Sequence, residues 1–280
     1  MKNALKKSDI QSLIIRALSE DVGDGDITSN AIFDEAEKSE AVILAKEKGI
    51  FCGGAIIKYI YEVIDPEIKI RLRVKDGECI HPGDRAASLR GSTKSILLGE
   101  RTVLNFIQRM CGIATQAHHL SSLLRGTNIK ILDTRKTAPG FRLLDKYAVR
   151  TGGGTNHRMG LYDMIMIKDN HIKSAGSIRE AVHRVRELYG NTYKVEVEAT
   201  DLDEVKEALS SKADIIMLDN MNRTSIEKAC QIIGNRAKIE VSGNIDEKKI
   251  KKIRDLKIDY ISIGALTHSV RAFDLSMKFR

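Results

Sequence analysis

Between Ile131 and Ala265 the chain repeats one pattern: a short apolar run stops abruptly at charged or small polar residues and gives way to a stretch with helical spacing. The runs are ILDTRK from Ile131, MIMI (Met164–Ile167), KVEVEAT (Lys194–Thr200), DIIMLDN (Asp214–Asn220), KIEVSGN (Lys238–Asn244) and DYISIGA (Asp259–Ala265). A short run that is apolar on both sides suits a strand covered on both faces, and the charges that follow mark where the cover ends. Between the runs lie SIREAVHRVREL from Ser177 and DLDEVKEAL from Asp201, the second with Asp201 as N-cap and Glu204 three residues on. Alternating strands and helices predict a parallel α/β fold. About six strands can be counted, fewer than the eight of a complete barrel, so the expected architecture is an incomplete (β/α) barrel.

Upstream the pattern changes. IKIRLRVK (Ile68–Lys75) alternates apolar and charged residues, as a half-exposed antiparallel strand does. AVILAKEKGIFCGG and the turn-like HPGD from His81 predict further strands of that kind. Residues 1–108 therefore read as a smaller N-terminal α+β sandwich domain, 109–268 as the α/β barrel domain, and the tail 269–280 as a segment that packs back on the first. Ser95–Met110 reads as an amphipathic helix, with Arg101, Asn105 and Arg109 four apart on its polar side; taken alone, such a stripe is a solvated face.

The chain has 280 residues, enough for two cores, and no apolar run long enough to cross a membrane. Its start, MKNALKKSDIQSLIIRALSED, lacks the apolar stretch of a signal peptide and reads as an amphipathic helix. Four cysteines, Cys52, Cys79, Cys111 and Cys230, are scattered without a CxxC pair, which argues against a disulfide framework or a zinc site and for a reducing cytoplasm. The net charge of +8 attracts anions. Nucleic acid is one candidate, but aromatics make up only 5% and no binding motif is present, so a small phosphorylated substrate suits the clustered cations better.

That cluster is dense between Ile131 and Ile172, where Arg135, Lys136, Arg142, Lys146, Arg150, His157, Arg158 and Lys168 surround a glycine run. In parallel α/β folds ligands bind at the carboxyl ends of the strands, so Arg135, Lys136 and Lys168 are expected to converge on an anion. TGGGTNHR lacks the GK[ST] ending of a P-loop and reads as a loop that brings in His157 and Arg158. Glycines in Ser242-Gly243-Asn244 and Ile263-Gly264-Ala265 suit either tight turns or backbone capture of a phosphate. Asp21, Asp24 and Asp26 have the wrong spacing for an EF-hand loop, and His118 and His119 lack partners at metal-ligand spacing.

The ordered set ERTVLNFIQRMCGIAT (Glu100–Thr115), DTRKTAPGFR (Asp133–Arg142), KYAVRTGGGTNHRMGLYDMIMIKDNHI (Lys146–Ile172), EVE, IMLDN, SGN and GALTHS, with EDVGDGDITS (Glu20–Ser29) near the start, resembles the quinolinate phosphoribosyltransferases. The resemblance covers nearly the whole chain. Ala138, where that family often has threonine, is a small departure beside the charged positions.

The resemblance implies conversion of quinolinate and phosphoribosyl pyrophosphate to nicotinate mononucleotide, pyrophosphate and carbon dioxide, with Mg2+, in NAD biosynthesis. It implies a quinolinate pocket of Arg101, Arg135, His157 and Arg158, with Lys136, Thr137 and Lys168 beside it; guanidinium groups suit planar carboxylates. Lys136, Lys168, Glu198 and Asp219 are the implied catalytic residues, with Glu198 and Asp219 near the ribose and, indirectly, the metal. The 5′-phosphate is expected at Ser242, Gly243, Asn244, Ile263, Gly264 and Ala265. The resemblance also implies a homodimer in which Arg101 crosses into the neighbour's site, with assembly into a hexamer left open, and no nucleic-acid or membrane partner. Lys136 and Arg158 are expected to face solvent. A related phosphoribosyltransferase of the molybdenum-locus type, with another acceptor, is the alternative, and Arg101, Arg135 and Arg158 favour quinolinate. A nucleic-acid-binding protein explained by net charge is a third reading, tested by salt-sensitive duplex binding.

Overall fold

The structure, a computed structural model, describes residues 5–280; the first four positions of the helix expected at the start lie outside the described residues. The chain begins with α1 (Lys7–Val22), α2 (Ile27–Ile32), β1 (Lys38–Ala45), β2 (Gly49–Ile50), α3 (Gly54–Ile64), β3 (Lys69–Leu72), β4 (Cys79–Ile80), β5 (Arg85–Ser92) and α4 (Thr93–Ser122). It continues through β6 (Lys130–Leu132), α5 (Arg142–Thr151), β7 (Ile165–Ile167), α6 (Asp169–Ala175), α7 (Ile178–Tyr189), β8 (Val195–Ala199), α8 (Leu202–Ser210) and β9 (Ile215–Asp219). Then come α9 (Arg223–Ile233), β10 (Lys238–Ser242), α10 (Glu247–Ile253), β11 (Tyr260–Ser262), α11 (Ala265–His268) and β12 (Leu275–Phe279).

Two compact units result. One comprises the described residues through His118 with Ala138–Gly153 and Ser269–Arg280; the other comprises His119–Thr137 and Gly154–His268. The division differs from a break between 108 and 109. That position lies inside α4, a helix of 30 residues, and Arg109 on α4 binds Asp145 on α5, which draws 138–153 into the first unit.

The first unit is built on an antiparallel sheet in the order β12-β1-β5-β3. The C-terminal strand pairs with β1, placing Ile43 opposite Met277. The strand read from IKIRLRVK pairs with β5 and alternates exposed and half-buried positions. α1 buries Ile10, Ile14 and Leu18, spaced four apart so that they share one side of the helix. Asp26 caps α2 by accepting from the Thr28 and Ser29 amides, which accounts for one acid of the Asp21-Asp24-Asp26 cluster without a metal. In HPGD the Asp84 amide donates to the His81 carbonyl, closing the expected turn. α4 continues beyond Met110 through Gly112, where a Cβ would stand 2.1 Å from the Arg271 carbonyl oxygen; only glycine admits so close a backbone.

The second unit holds six parallel strands in the order β6-β11-β10-β9-β8-β7. β6 and β7 are the two edges, and Thr155 makes an isolated parallel bridge to Leu132 on β6, so the sheet does not close into a continuous ring. The N-caps follow the sequence: Ser177 accepts from the Glu180 amide and Asp201 from those of Asp203 and Glu204, while Asn222 and Asp246 cap the next two helices. Ile216, Leu218, Val241 and Ile261 are buried within the strands. Among the described residues, no helix is long and apolar enough to cross a membrane.

Candidate functional site

A cavity of about 720 Å3 opens at the carboxyl ends of the parallel strands in the second unit. Each strand contributes the residues at which its apolar run stops. Arg135 and Lys136 follow β6, Lys168 follows β7, Glu198 is the last residue but one of β8, Asp219 and Ser242 end β9 and β10, and Gly243 and Asn244 follow β10. Ile263, Gly264 and Ala265 follow β11 and also line the cavity, as do His157 and Arg158 from the loop after the glycine run.

Asp133 sets that loop. Its fully buried carboxylate accepts from the His157 backbone amide at 2.9 Å and from the Asn156 side chain. The Thr155 amide donates to the Ile131 carbonyl at 2.8 Å, so the loop continues the edge of β6. His157 then packs beneath the cavity. Its Nε2 lies 3.0 Å from Glu196 and 3.5 Å from Glu240, two carboxylates with no solvent exposure; these are close charged contacts without the alignment of straight hydrogen bonds. Its Nδ1 accepts the Arg158 backbone amide at 2.7 Å.

Two influences on this imidazole conflict. Burial disfavours the cation, but Glu196 and Glu240 together push the His157 pKa up to about 10. The Arg158 amide opposes a second ring proton, because only an unprotonated Nδ1 can accept it. Both influences agree on Nε2: the carboxylates and the Nδ1 contact place a proton on that nitrogen, toward Glu196 and Glu240. Glu196 is pushed up to about 7, by burial first and by Glu240 next, so it holds its proton at a pH where an isolated carboxylate would release it.

Arg158 is 9% exposed, which corrects the expectation that it faces solvent: its Nη1 donates to the Met164 carbonyl at 3.1 Å, and that bond draws the side chain inward. Burial, and then the neighbouring Arg135, disfavour its charge. The Arg135 Nε is buried with no hydrogen-bond partner among the described residues. Two guanidinium groups held near each other, one with an unmet donor, call for an anion.

Lys168 forms an ion pair with Glu198. The ends of β9 and β10 interlock: the Asn220 amide donates to the Ser242 carbonyl at 3.1 Å, Asn244 Nδ2 donates to Asn220 Oδ1 at 3.1 Å, and Asn220 Nδ2 donates to Asp219 at 2.7 Å. Gly243 has φ +88°, and a Cβ there would lie 2.2 Å from Asn220 Oδ1. The Lys249 Nζ donates to the Gly243 carbonyl at 2.8 Å. Opposite, Thr267 Oγ1 donates to the Lys136 carbonyl at 2.8 Å and steadies the turn that carries this lysine.

Not every expected residue comes to the cavity. Arg142, Lys146 and Arg150 lie on α5 in the first unit, where Lys146 is buried; an amphipathic helix, not the strand-end pattern, places them. Thr134 lines the cavity and Thr137 does not, because the chain turns back at Arg135, whose carbonyl accepts the Thr137 amide at 2.9 Å. Arg101 is exposed on α4, in the first unit. His119 pairs with Glu247 at 3.2 Å, as a surface histidine does. Residues that the pattern left out are Asp133, Asn220, Glu196 and Glu240. A signal for the glutamates was present: a charge at an apolar position inside KVEVEAT and KIEVSGN is costly to bury and so points to a partner.

Residues 26–111 match the family model for the quinolinate phosphoribosyl transferase N-terminal domain, and 113–278 that for the C-terminal domain. The chain is 44% identical to a probable nicotinate-nucleotide pyrophosphorylase [carboxylating] of Bacillus subtilis (strain 168), over 96% of this chain and 92% of that protein. It is similar to the crystal structure of NadC from Streptococcus pyogenes, with TM-score 0.95 and 42% identity over 99% of this chain and 98% of that one. A nicotinate-nucleotide pyrophosphorylase structure from Francisella tularensis matches with TM-score 0.94 and 40% identity, over 100% of this chain and 99% of that one.

Proposed function

The chain belongs to the quinolinate phosphoribosyltransferase family, and from that premise we propose how its cavity performs the reaction. As a decarboxylating pentosyltransferase of NAD biosynthesis, it converts quinolinate and phosphoribosyl pyrophosphate to nicotinate mononucleotide, pyrophosphate and carbon dioxide. The buried Arg135 Nε with no acceptor, beside an Arg158 whose charge it disfavours, carries the assignment of the quinolinate pocket. A planar carboxylate offers two oxygens to such donors, relieves the repulsion and satisfies the orphan. His157 completes that wall, and Lys136 and Lys168 supply further positive charge.

Phosphoribosyl transfer builds positive charge on the ribose ring while pyrophosphate departs with negative charge. Glu198 and Asp219, at the ends of adjacent strands and lining the same cavity, are the carboxylates we assign to the ribose side. Their oxygen donors also suit Mg2+, which takes carboxylate and phosphate oxygens and keeps several waters. When bound, Mg2+ neutralises phosphate charge. Exchange of Lys168 from Glu198 to a substrate anion would free that carboxylate as the site fills. Gly243 with Asn244, and Gly264 with Ala265, expose backbone amides where strands end, and we assign the 5′-phosphate there. Loss of carbon dioxide then leaves carbanion character beside a cationic ring nitrogen, so the residues need only hold the ring and stabilise charge.

Arg101 reaches the reaction in this proposal from a second copy of the chain. It is exposed on α4 and has no ion-pair partner among the described residues, which leaves its guanidinium available to a neighbour in a homodimer. The four cysteines are free thiols, in keeping with a reducing cytoplasm.

The deciding experiment measures carbon dioxide and nicotinate mononucleotide released from quinolinate, phosphoribosyl pyrophosphate and Mg2+, with nicotinate and nicotinamide as control acceptors. Turnover with quinolinate alone is expected. Folded protein that ignores quinolinate would overturn the proposal.

A further inference from the structure

Glu196 and Glu240 stand out because nothing in the transfer chemistry calls for them. Both are fully buried, and Glu240 also borders the cavity. Strand periodicity puts Glu196 and Glu198 on one face of β8 and Glu240 and Ser242 on one face of β10. Register sets Glu240 level with Met217 on β9, which is itself level with Glu198, so Glu196 lies one layer deeper. Side chains from alternate strands fill such layers, and here they meet His157.

These three residues are also the group of possible metal donors within 4.8 Å of one another found among the described residues. A metal would need the lone pair of Nε2. That atom carries the ring proton, because Nδ1 accepts the Arg158 amide. The donor set is therefore occupied by a proton, and its role lies in holding the ring.

We propose that Glu196 and Glu240 are positioning residues that act through His157: they face Nε2 from below while the Arg158 amide holds Nδ1, which fixes the ring and the adjoining backbone so that the Arg158 guanidinium is presented to the quinolinate carboxylates. Resting on the quinolinate assignment above, this reading extends it to residues that touch no substrate. Burying two carboxylates side by side is expensive unless they are paired. Arg158 and Lys168 supply further positive charge near Glu196, while Asp133 fixes the His157 backbone from the β6 side. With His157 clamped at both nitrogens, ring rotation would break contacts on either side. Outer partners of this kind orient a residue without entering the reaction.

The test compares Glu196→Gln, Glu196→Leu and Glu196→Ala, with KM for each substrate and kcat measured separately. Leucine fills the space without an acceptor, whereas glutamine keeps an oxygen toward Nε2. Leucine and alanine should raise KM for quinolinate about tenfold, as for loss of one close charge-assisted contact, while KM for phosphoribosyl pyrophosphate moves less than about twofold and glutamine restores most of the loss. Equal rescue by leucine, or a parallel rise in both KM values, would overturn the inference. A second readout needs no turnover. Nitrogen NMR of imidazole-labelled protein should show His157 protonated at Nε2, with that N–H signal shifted and its proton exchange faster in Glu196→Leu and both kept near the unaltered values in Glu196→Gln; a ring protonated at Nδ1 alone in the unaltered protein would sink the positioning role. Absence of quinolinate turnover in the unaltered protein, with the NMR result as expected, would instead defeat the substrate assignment.

Discussion

Arg109 on α4 grips Asp145 on α5 with two hydrogen bonds, Nε to Oδ1 and Nη2 to Oδ2, each 2.8 Å, and the carboxylate is fully buried. The guanidinium also sits 5.7 Å from the centre of the Phe141 ring. Burial pushes the Asp145 pKa up, and Arg109 pulls it back. Removing the cation would strand a buried charge, so Arg109→Ala should lose about 3–5 kcal/mol. Arg109→Lys, without the fork, should fall between. Urea denaturation checks both, and an unchanged midpoint in Arg109→Ala would show that the pair carries little.

Lys136 and Arg158 should separate activity from stability. Lys136 is exposed and Arg158 is not. Lys136→Ala should keep its melting temperature while kcat/KM falls about a hundredfold, as for loss of one preorganised cation. Arg158→Ala should lose activity and also some stability, because the Met164 carbonyl loses its donor. Near-normal rates in both variants would defeat the site assignment.

Mixed dimers test the shared site. Neither Arg101→Ala nor Lys136→Ala protein should turn over alone, but a mixture that exchanges subunits should regain activity, because one site in each mixed dimer has both original residues. If exchange is confirmed by mass and no activity returns, Arg101 serves no neighbour.

Gly243→Ala tests the phosphate turn. The substitution places a Cβ 2.2 Å from Asn220 Oδ1 in a backbone with φ +88°, a strain of about 1–3 kcal/mol. KM for phosphoribosyl pyrophosphate should rise more than KM for quinolinate. The reverse order would move the 5′-phosphate elsewhere.

Much of the fold was legible because its rules are local. Alternation in IKIRLRVK marks an antiparallel strand with one wetter face, and apolar runs ending in charge mark parallel strands; both depend on neighbours in the chain. The same locality made the strand-end residues readable, since a charge that follows a buried run must lie where burial ends. Locality failed for the cations of α5. Arg142, Lys146 and Arg150 are close in sequence to His157 and Arg158, yet α5 carries them into the other unit.

By itself, then, the sequence determined the alternation of strands and helices, the capping of the helices and the polar ends at Arg135, Lys136, Lys168, Glu198 and Asp219. Only tertiary structure decided that β6 and β7 are sheet edges, that Arg158 is buried, that Thr134 and not Thr137 faces the cavity, and that Glu196 and Glu240 meet at His157. Periodicity reports which face of a strand a residue occupies. Which other strand's residue it meets depends on sheet order and register, and those are set by the packing of segments remote in the chain.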